Sequence, residues 1–135
     1  MSKLTLLLTT SETEDSFLWK KLTNISKTIG MVVEWTDAAL AVANKTLDFT
    51  YAKYGQSQAT KLSAEFRKVG KQIARFPRMG PIEYYIKKEG EYRYVSIFSI
   101  LKVIYRIDNP EHISIITIWD CRRNPNELEE VVSNN

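Results

Sequence analysis

Arginine dominates the chemistry this chain can offer. Arg93 opens one apolar stretch, YRYVSIFSILKVIYRID, and Arg122 and Arg123 close another, IWDCRRNP. Lys87 and Lys88 stand just upstream of Arg93. A guanidinium stays protonated and can bond two oxygens of one phosphate or carboxylate at once. If the residues between these cations fold as a strand meander, the start of the strand at Arg93 and the end of the strand at Trp119 can meet at one end of the sheet. Arg93, Arg122, Arg123, Lys87 and Lys88 would then line one basic edge able to hold an anionic group. The structural alternative is that Arg93 pairs with Asp120 and that Arg122 or Arg123 caps carbonyls. Other reactive groups are few. One cysteine, Cys121, cannot form an internal disulfide, which fits a reducing cytosol, and it is expected as a small buried residue. With one histidine, His112, it cannot make a zinc site, so no metal is expected. His112 begins a strand, which favours a turn or surface role.

A second basic region lies upstream. From Lys61 to Arg78 there are six cations (Lys61, Arg67, Lys68, Lys71, Arg75 and Arg78) and one carboxylate, Glu65. The net charge of the whole chain is only +3, so the distribution matters more than the total. Two readings compete. These side chains solvate the outer face of an amphipathic helix, or they attract nucleic acid or an acidic partner surface. No apolar run approaches the roughly 20 residues that span a bilayer, so no membrane partner is expected.

The elements that would position these groups follow from periodicity. Met31–Trp35 is β-branched and aromatic, and predicts a strand. Thr36 is a good N-cap and Asp37 sits in a first turn. Leu40, Ala43, Leu47, Tyr51 and Tyr54 then share one helical face, which Gly55 ends in a left-handed conformation. Ala59, Leu62, Phe66, Val69, Ile73 and Phe76 mark a second helix, stopped by Pro77 and Gly80-Pro81. The aromatic residues of both stripes are expected in the core. The short loop at Gly55 makes the pair an antiparallel hairpin. Beyond Gly80 the period changes to two. Glu83–Lys87, Tyr92–Phe98, Leu101–Ile107 and His112–Trp119 predict strands, the last central and with Trp119 in the core. The expected fold is α+β, in the order β-α-α-β-β-β-β, with a helical hairpin packed on a small, mainly antiparallel sheet. Residues 1–30 look like an extension appended to a domain over residues 31–135. Within the extension Leu4, Leu6 and Leu8 alternate, and Ser11 with Glu14 could start a helix whose stripe would run Phe17, Leu18, Leu22 and Ile25. It is either an accessory helix or the product of an upstream translation start.

This order of pieces resembles the RelE/ParE superfamily of bacterial toxins from type II toxin–antitoxin modules, over Val32 to about Leu128. VEWTDAAL resembles the family's strand-then-helix opening. LDFTYAKYG and FPRMG resemble the closures of its two helices, YRYVSIFSILKVIYRID its paired central strands, and IWDCRRNP its terminal strand with a basic motif. The resemblance implies a cytoplasmic growth-inhibiting toxin, of the kind associated with plasmid stabilization, neutralised by a cognate antitoxin. It implies one of two targets. ParE-like members inhibit DNA gyrase and RelE-like members cleave mRNA on the ribosome. For the second, Arg93, Arg122 and Arg123 would be the catalytic residues, because metal-free RNA cleavage needs cations for the phosphorane charge, together with a base and an acid. Tyr105 or Glu83 could serve as acid or base, though neither matches a family position. RelE-like nucleases commonly carry a tyrosine or histidine near the C-terminus, whereas Asn124, Pro125, Asn126, Glu127 and Leu128 follow Arg123 here. That departure favours a gyrase inhibitor, with Lys87, Lys88, Arg93, Arg122 and Arg123 as target or phosphate contacts. Lys61, Lys68, Lys71 and Arg75 would bind an acidic antitoxin segment, which is expected also to use an exposed sheet edge. No cofactor is expected. A non-toxic nucleic-acid or protein-binding domain on the same fold is the remaining alternative.

Overall fold

A computed structural model describes residues 25–28 and 31–133. The expected helix near Glu12 and the strand at Leu4–Leu8 lie outside the described residues. Five strands form one sheet in the order β1-β2-β5-β4-β3. They are β1 (Ile25–Thr28), β2 (Met31–Trp35), β3 (Glu91–Ile97), β4 (Leu101–Asn109) and β5 (His112–Asp120). Helices α1 (Asp37–Tyr54) and α2 (Gln56–Arg75) follow β2, and a short α3 (Leu128–Ser133) follows β5.

The predicted α+β class and the helical hairpin are present. Two strand assignments differ. Ile25 belongs to β1, paired antiparallel with β2, so the sheet starts before Met31. Glu83–Lys87 is not a strand. Its neighbourhood makes one isolated bridge, Ile82 to Arg93, and then turns away. Even so, this segment protects the outer edge of β3. Glu83 N–H donates to Tyr92 C=O at 2.8 Å, and Tyr94 N–H donates to Pro81 C=O at 3.1 Å. At Tyr92 and Tyr94 the edge is therefore closed to pairing with another chain.

The central strand is β5, as its composition predicts. Ile113 to Trp119 are all buried, because β5 is covered on both faces. It pairs parallel with β2 and antiparallel with β4. A register shift between Ile104 and Tyr105 leaves Ile116 as an extra residue in β5. Ile113, Ile115 and Ile118 therefore face the helical hairpin, while Ile116 and Trp119 face the opposite side. The first side packs Val33, Trp35, Leu40, Phe66, Val69 and Ile73. On the second, Leu128 and Val132 of α3 and Ile86 cover Ile104, Ile116 and Trp119.

Thr36 fixes where α1 begins. Its Oγ1 accepts from Ala39 N–H at 3.1 Å and donates to Ile115 C=O at 3.0 Å, so the cap is also tied to the central strand. An 18-residue helix is about 27 Å long, whereas β5 extends only about 17 Å beyond Ile115. The end of α1 overhangs the sheet. That is why Tyr51 and Tyr54, on the predicted apolar stripe, are 59% and 61% exposed. Phe76 also departs from the core expectation, at 60% exposed just past the end of α2. Gly55 alone links the helices, at φ 96°, a value that an L side chain rarely adopts.

One turn breaks the usual rules. Phe98 and Ser99, joining β3 to β4, have φ of 54° and 61°, and Ile100 N–H donates to Ile97 C=O at 3.1 Å. Within the three-residue connection from Ile97 to Leu101, the positive φ at both central positions of this β-turn is of the kind that normally calls for Asn-Gly. A left-handed conformation costs a non-glycine residue roughly 1–2 kcal/mol.

Candidate functional site

The predicted basic edge does not assemble. Arg93 is level with Tyr105 on β4, which is level with Ile115 on β5. Because β4 is antiparallel to both its neighbours, β3 and β5 run the same way. Arg93 therefore lies near the end of the sheet where β5 begins, and Arg122 and Arg123 lie beyond the end where it finishes. The five residues from Ile115 to Asp120 set them roughly 17 Å apart along the strands, with two strand spacings across.

Arg93 has a structural occupation. Its Nε donates to Glu91 at 2.7 Å, its Nη1 donates to Gly80 C=O at 2.7 Å, and its side chain is only 17% exposed. Glu91 also receives Nε and Nη2 of Arg78, at 2.8 and 2.9 Å. The hydrogen bonds from Arg78, and next those from Arg93, hold the Glu91 carboxyl below its usual range. Tyr105 completes the fastening. Its hydroxyl donates to Pro77 C=O at 2.6 Å and accepts from Gly80 N–H at 3.3 Å. Burial pushes this phenol up from its ordinary value. A Cβ at Gly80 would meet Tyr94 C=O at 2.1 Å, so only glycine allows the FPRMG loop to lie this close to β3. Arg93 and Tyr105 together clamp that loop to the sheet.

Neither acid-base candidate faces solvent. Tyr105 is fully buried, and Glu83 is 2% exposed. Glu83 instead accepts from Lys102 Nζ at 2.9 Å and from Tyr85 N–H at 3.2 Å, and Lys102 Nζ also lies 4.1 Å from the centre of the Tyr94 ring. Lys87 and Lys88 are exposed in the loop after buried Ile86.

At the far end of β5, Arg122 is more open than Arg123. Its side chain is 74% exposed and donates to both oxygens of Asp120, from Nε at 3.0 Å and from Nη2 at 2.6 Å. Asp120 foremost, and Tyr54 more weakly, hold Arg122 in its charged form. Arg123 stacks 4.1 Å over buried Trp119 and faces Glu127 at 3.7 Å. Cys121, expected in the core, is exposed, because β5 has ended before it and the chain is already turning.

The second basic region does form a surface. Lys68, Lys71 and Arg75 recur at helical spacing on the face of α2 opposite Leu62, Phe66, Val69 and Ile73, and all three are exposed. With Ala64, Arg67, Gln72 and Phe76 they line a groove of about 600 Å³. Lys61 lies exposed further toward the hairpin tip, outside this lining. Phe76 adds an exposed ring, with the Arg75 guanidinium 5.6 Å from its centre. Sequence reasoning found the cations and missed the ring, because helical periodicity alone assigned it to the core.

His112 has a partner on each ring nitrogen, Asp108 at Nδ1 (2.7 Å) and Glu34 at Nε2 (3.1 Å). Asp108 also accepts from Ser114 Oγ at 2.6 Å and from Arg106. The hydrogen bond to Asp108, and after it the one to Glu34, raises the imidazole above 6.5. This network joins β2, β4 and β5, and sequence gave no sign of it beyond an expected surface role for His112.

Fold and surfaces together define a small α+β domain of the RelE/ParE superfamily. The family model of the ParE toxin of type II toxin-antitoxin systems, parDE, matches residues 33–125, well over half of the chain. The chain belongs to that family, and a toxin of a type II system implies an antitoxin partner. A search of curated proteins finds no match. Among the described residues no helix is long and apolar enough to cross a membrane.

Proposed function

We propose that this toxin acts in the cytoplasm by binding and inhibiting DNA gyrase, and that it does not cut RNA. The observation that carries this reading is the dispersal of the arginines. Arg93 is committed to Glu91 and Gly80, and it lies far along the sheet from Arg122 and Arg123. Phosphoryl transfer needs cations within hydrogen-bond reach of a single phosphate, with an acid and a base beside it. The burial of Tyr105 and Glu83 argues in the same direction. The ParE family match supports the reading further.

On this reading the antitoxin lays an acidic segment along Lys68, Lys71 and Arg75, with Lys61 extending the path and Phe76 as an apolar anchor. Arg122 contacts the target. Arg123, Lys87 and Lys88 contribute less, and Arg93 contributes through the fold.

Two assays on purified protein test the function together: inhibition of gyrase supercoiling, and cleavage of mRNA on a programmed ribosome. Loss of supercoiling with intact mRNA is the expected result. Cleavage with full gyrase activity would replace this reading with the nuclease. The antitoxin, added in equimolar amount, should restore supercoiling.

A further inference from the structure

We propose that the toxin grips its target protein with the end of the molecule where the β3–β4 turn, the hairpin tip and the turn after β5 converge, and that Phe98 is its anchor. This rests on the reading that the toxin acts by binding a protein. Three observations carry it.

The first is convergence. Cys121 N–H donates to Ile100 C=O at 2.7 Å, tying the turn after β5 to the β3–β4 turn, and α1, which starts level with Ile115 and is longer than the rest of β5, carries Tyr51 and Tyr54 toward the same end. Tyr51, Tyr54, Phe98 and Ile100 are 59, 61, 56 and 43% exposed. Exposed aromatic residues at the same end as an exposed arginine have the composition of the residues that dominate protein–protein affinity.

The second is the backbone of the turn. Phe98 and Ser99 both adopt positive φ, where Asn-Gly would make the same turn with less strain. Phe98 gains little in exchange within its own chain, since more than half of it faces solvent. Strain held at a bulky exposed residue marks a position selected for presentation to a partner.

The third is charge. Arg122 faces Asp120, and Arg123 faces Glu127. With Lys53 Nζ 5.5 Å from the Tyr54 ring centre, this end presents aromatic surface with a small positive charge. Its complement is an apolar hollow in a protein, whereas a phosphate backbone or an acidic antitoxin tail is drawn to the cations of α2.

The test is Phe98→Asn/Ser99→Gly in the full chain, purified with and without antitoxin. If the proposal holds, relief of strain raises Tm by roughly 3–6 °C. At the same time the concentration that half-inhibits gyrase rises about 30-fold, in line with loss of a dominant contact. Antitoxin affinity stays within twofold. Stability and activity move in opposite directions, which a merely structural role of Phe98 cannot produce. Tyr54→Ala serves as an independent variant, expected to weaken inhibition at unchanged Tm. Unchanged inhibition by both variants overturns the proposal. Antitoxin affinity that falls in step with inhibition also overturns it, by giving the surface to the antitoxin. So does a wild-type mass of two chains that both variants reduce to one, which would give it to a second copy. If wild-type protein leaves gyrase untouched, the gyrase reading fails on its own. Growth arrest on induction then decides the surface: arrest lost in the stabilised variant supports it, and arrest retained refutes it.

Discussion

Replacing Arg93 by methionine distinguishes a clamp from a target contact. Methionine keeps the stem and removes the cation. Gly80 is buried, and its carbonyl loses the guanidinium N–H it accepts from at 2.7 Å. An unsatisfied buried acceptor costs about 1–3 kcal/mol. Glu91 keeps Arg78 but loses its other cation, a partly exposed contact worth at most about 1 kcal/mol. The total is about 1–4 kcal/mol, or a fall in Tm of roughly 4–15 °C for a chain of this size. Urea unfolding gives the first number and calorimetry the second. Inhibition of supercoiling, measured in the cold where the variant remains folded, should stay within a few fold of wild type. If Arg93→Met is as stable as wild type yet inactive, Arg93 is a contact residue and the clamp argument is wrong.

The buried Glu83–Lys102 pair predicts that Lys102→Met destabilises by about 2–4 kcal/mol, because it strands a carboxylate that is 2% exposed. Glu83→Gln/Lys102→Met should recover most of the loss in urea unfolding, and a double variant no better than the single would refute the pairing. His112, raised above 6.5, binds its proton more tightly folded than unfolded. Its stabilising contribution is therefore complete below that pH and is lost as pH rises through the folded value. Unfolding free energies followed from pH 5.5 to 8.5 should fall for wild type relative to His112→Gln, and parallel curves would exclude the linkage. Lys68→Glu/Lys71→Glu should weaken antitoxin binding at least tenfold by calorimetric titration while leaving Tm nearly unchanged, and undiminished affinity would move the antitoxin elsewhere.

The elements were legible where a period and a cap agreed. Thr36, the α2 stripe and the alternation of Leu101, Val103, Tyr105 and Ile107 against Lys102, Ile104 and Arg106 all appear as read. What sequence could not supply was extent and direction. The stripe through Tyr51 and Tyr54 is genuinely helical, but periodicity does not say where the sheet beneath it stops. The arginines were grouped by assuming that the start of one strand meets the end of another, and the observed register runs the other way. Glu83–Lys87 alternates like a strand, yet Glu83 points inward to Lys102 and the segment turns after one bridge. Cys121 looked like a core residue by type, and its exposure follows from chain reversal at Asp120.

The central place of β5 governs when the molecule can exist at all. β2 has β1 beside it from the start, but its pairing with the central strand, and the tie from Thr36, wait for residues 112–115, some 80 positions later in the chain. Both apolar layers close on the same strand. A nascent chain that has released its helical hairpin has only the β1–β2 pair for it to rest on. At about 5–20 residues per second, some seconds of synthesis separate the end of α2 from completion of β5. Contacts this distant in sequence also form slowly. A message broken before codon 112 would thus yield a fragment without a fold, and each new toxin stays harmless until its last strand has left the ribosome.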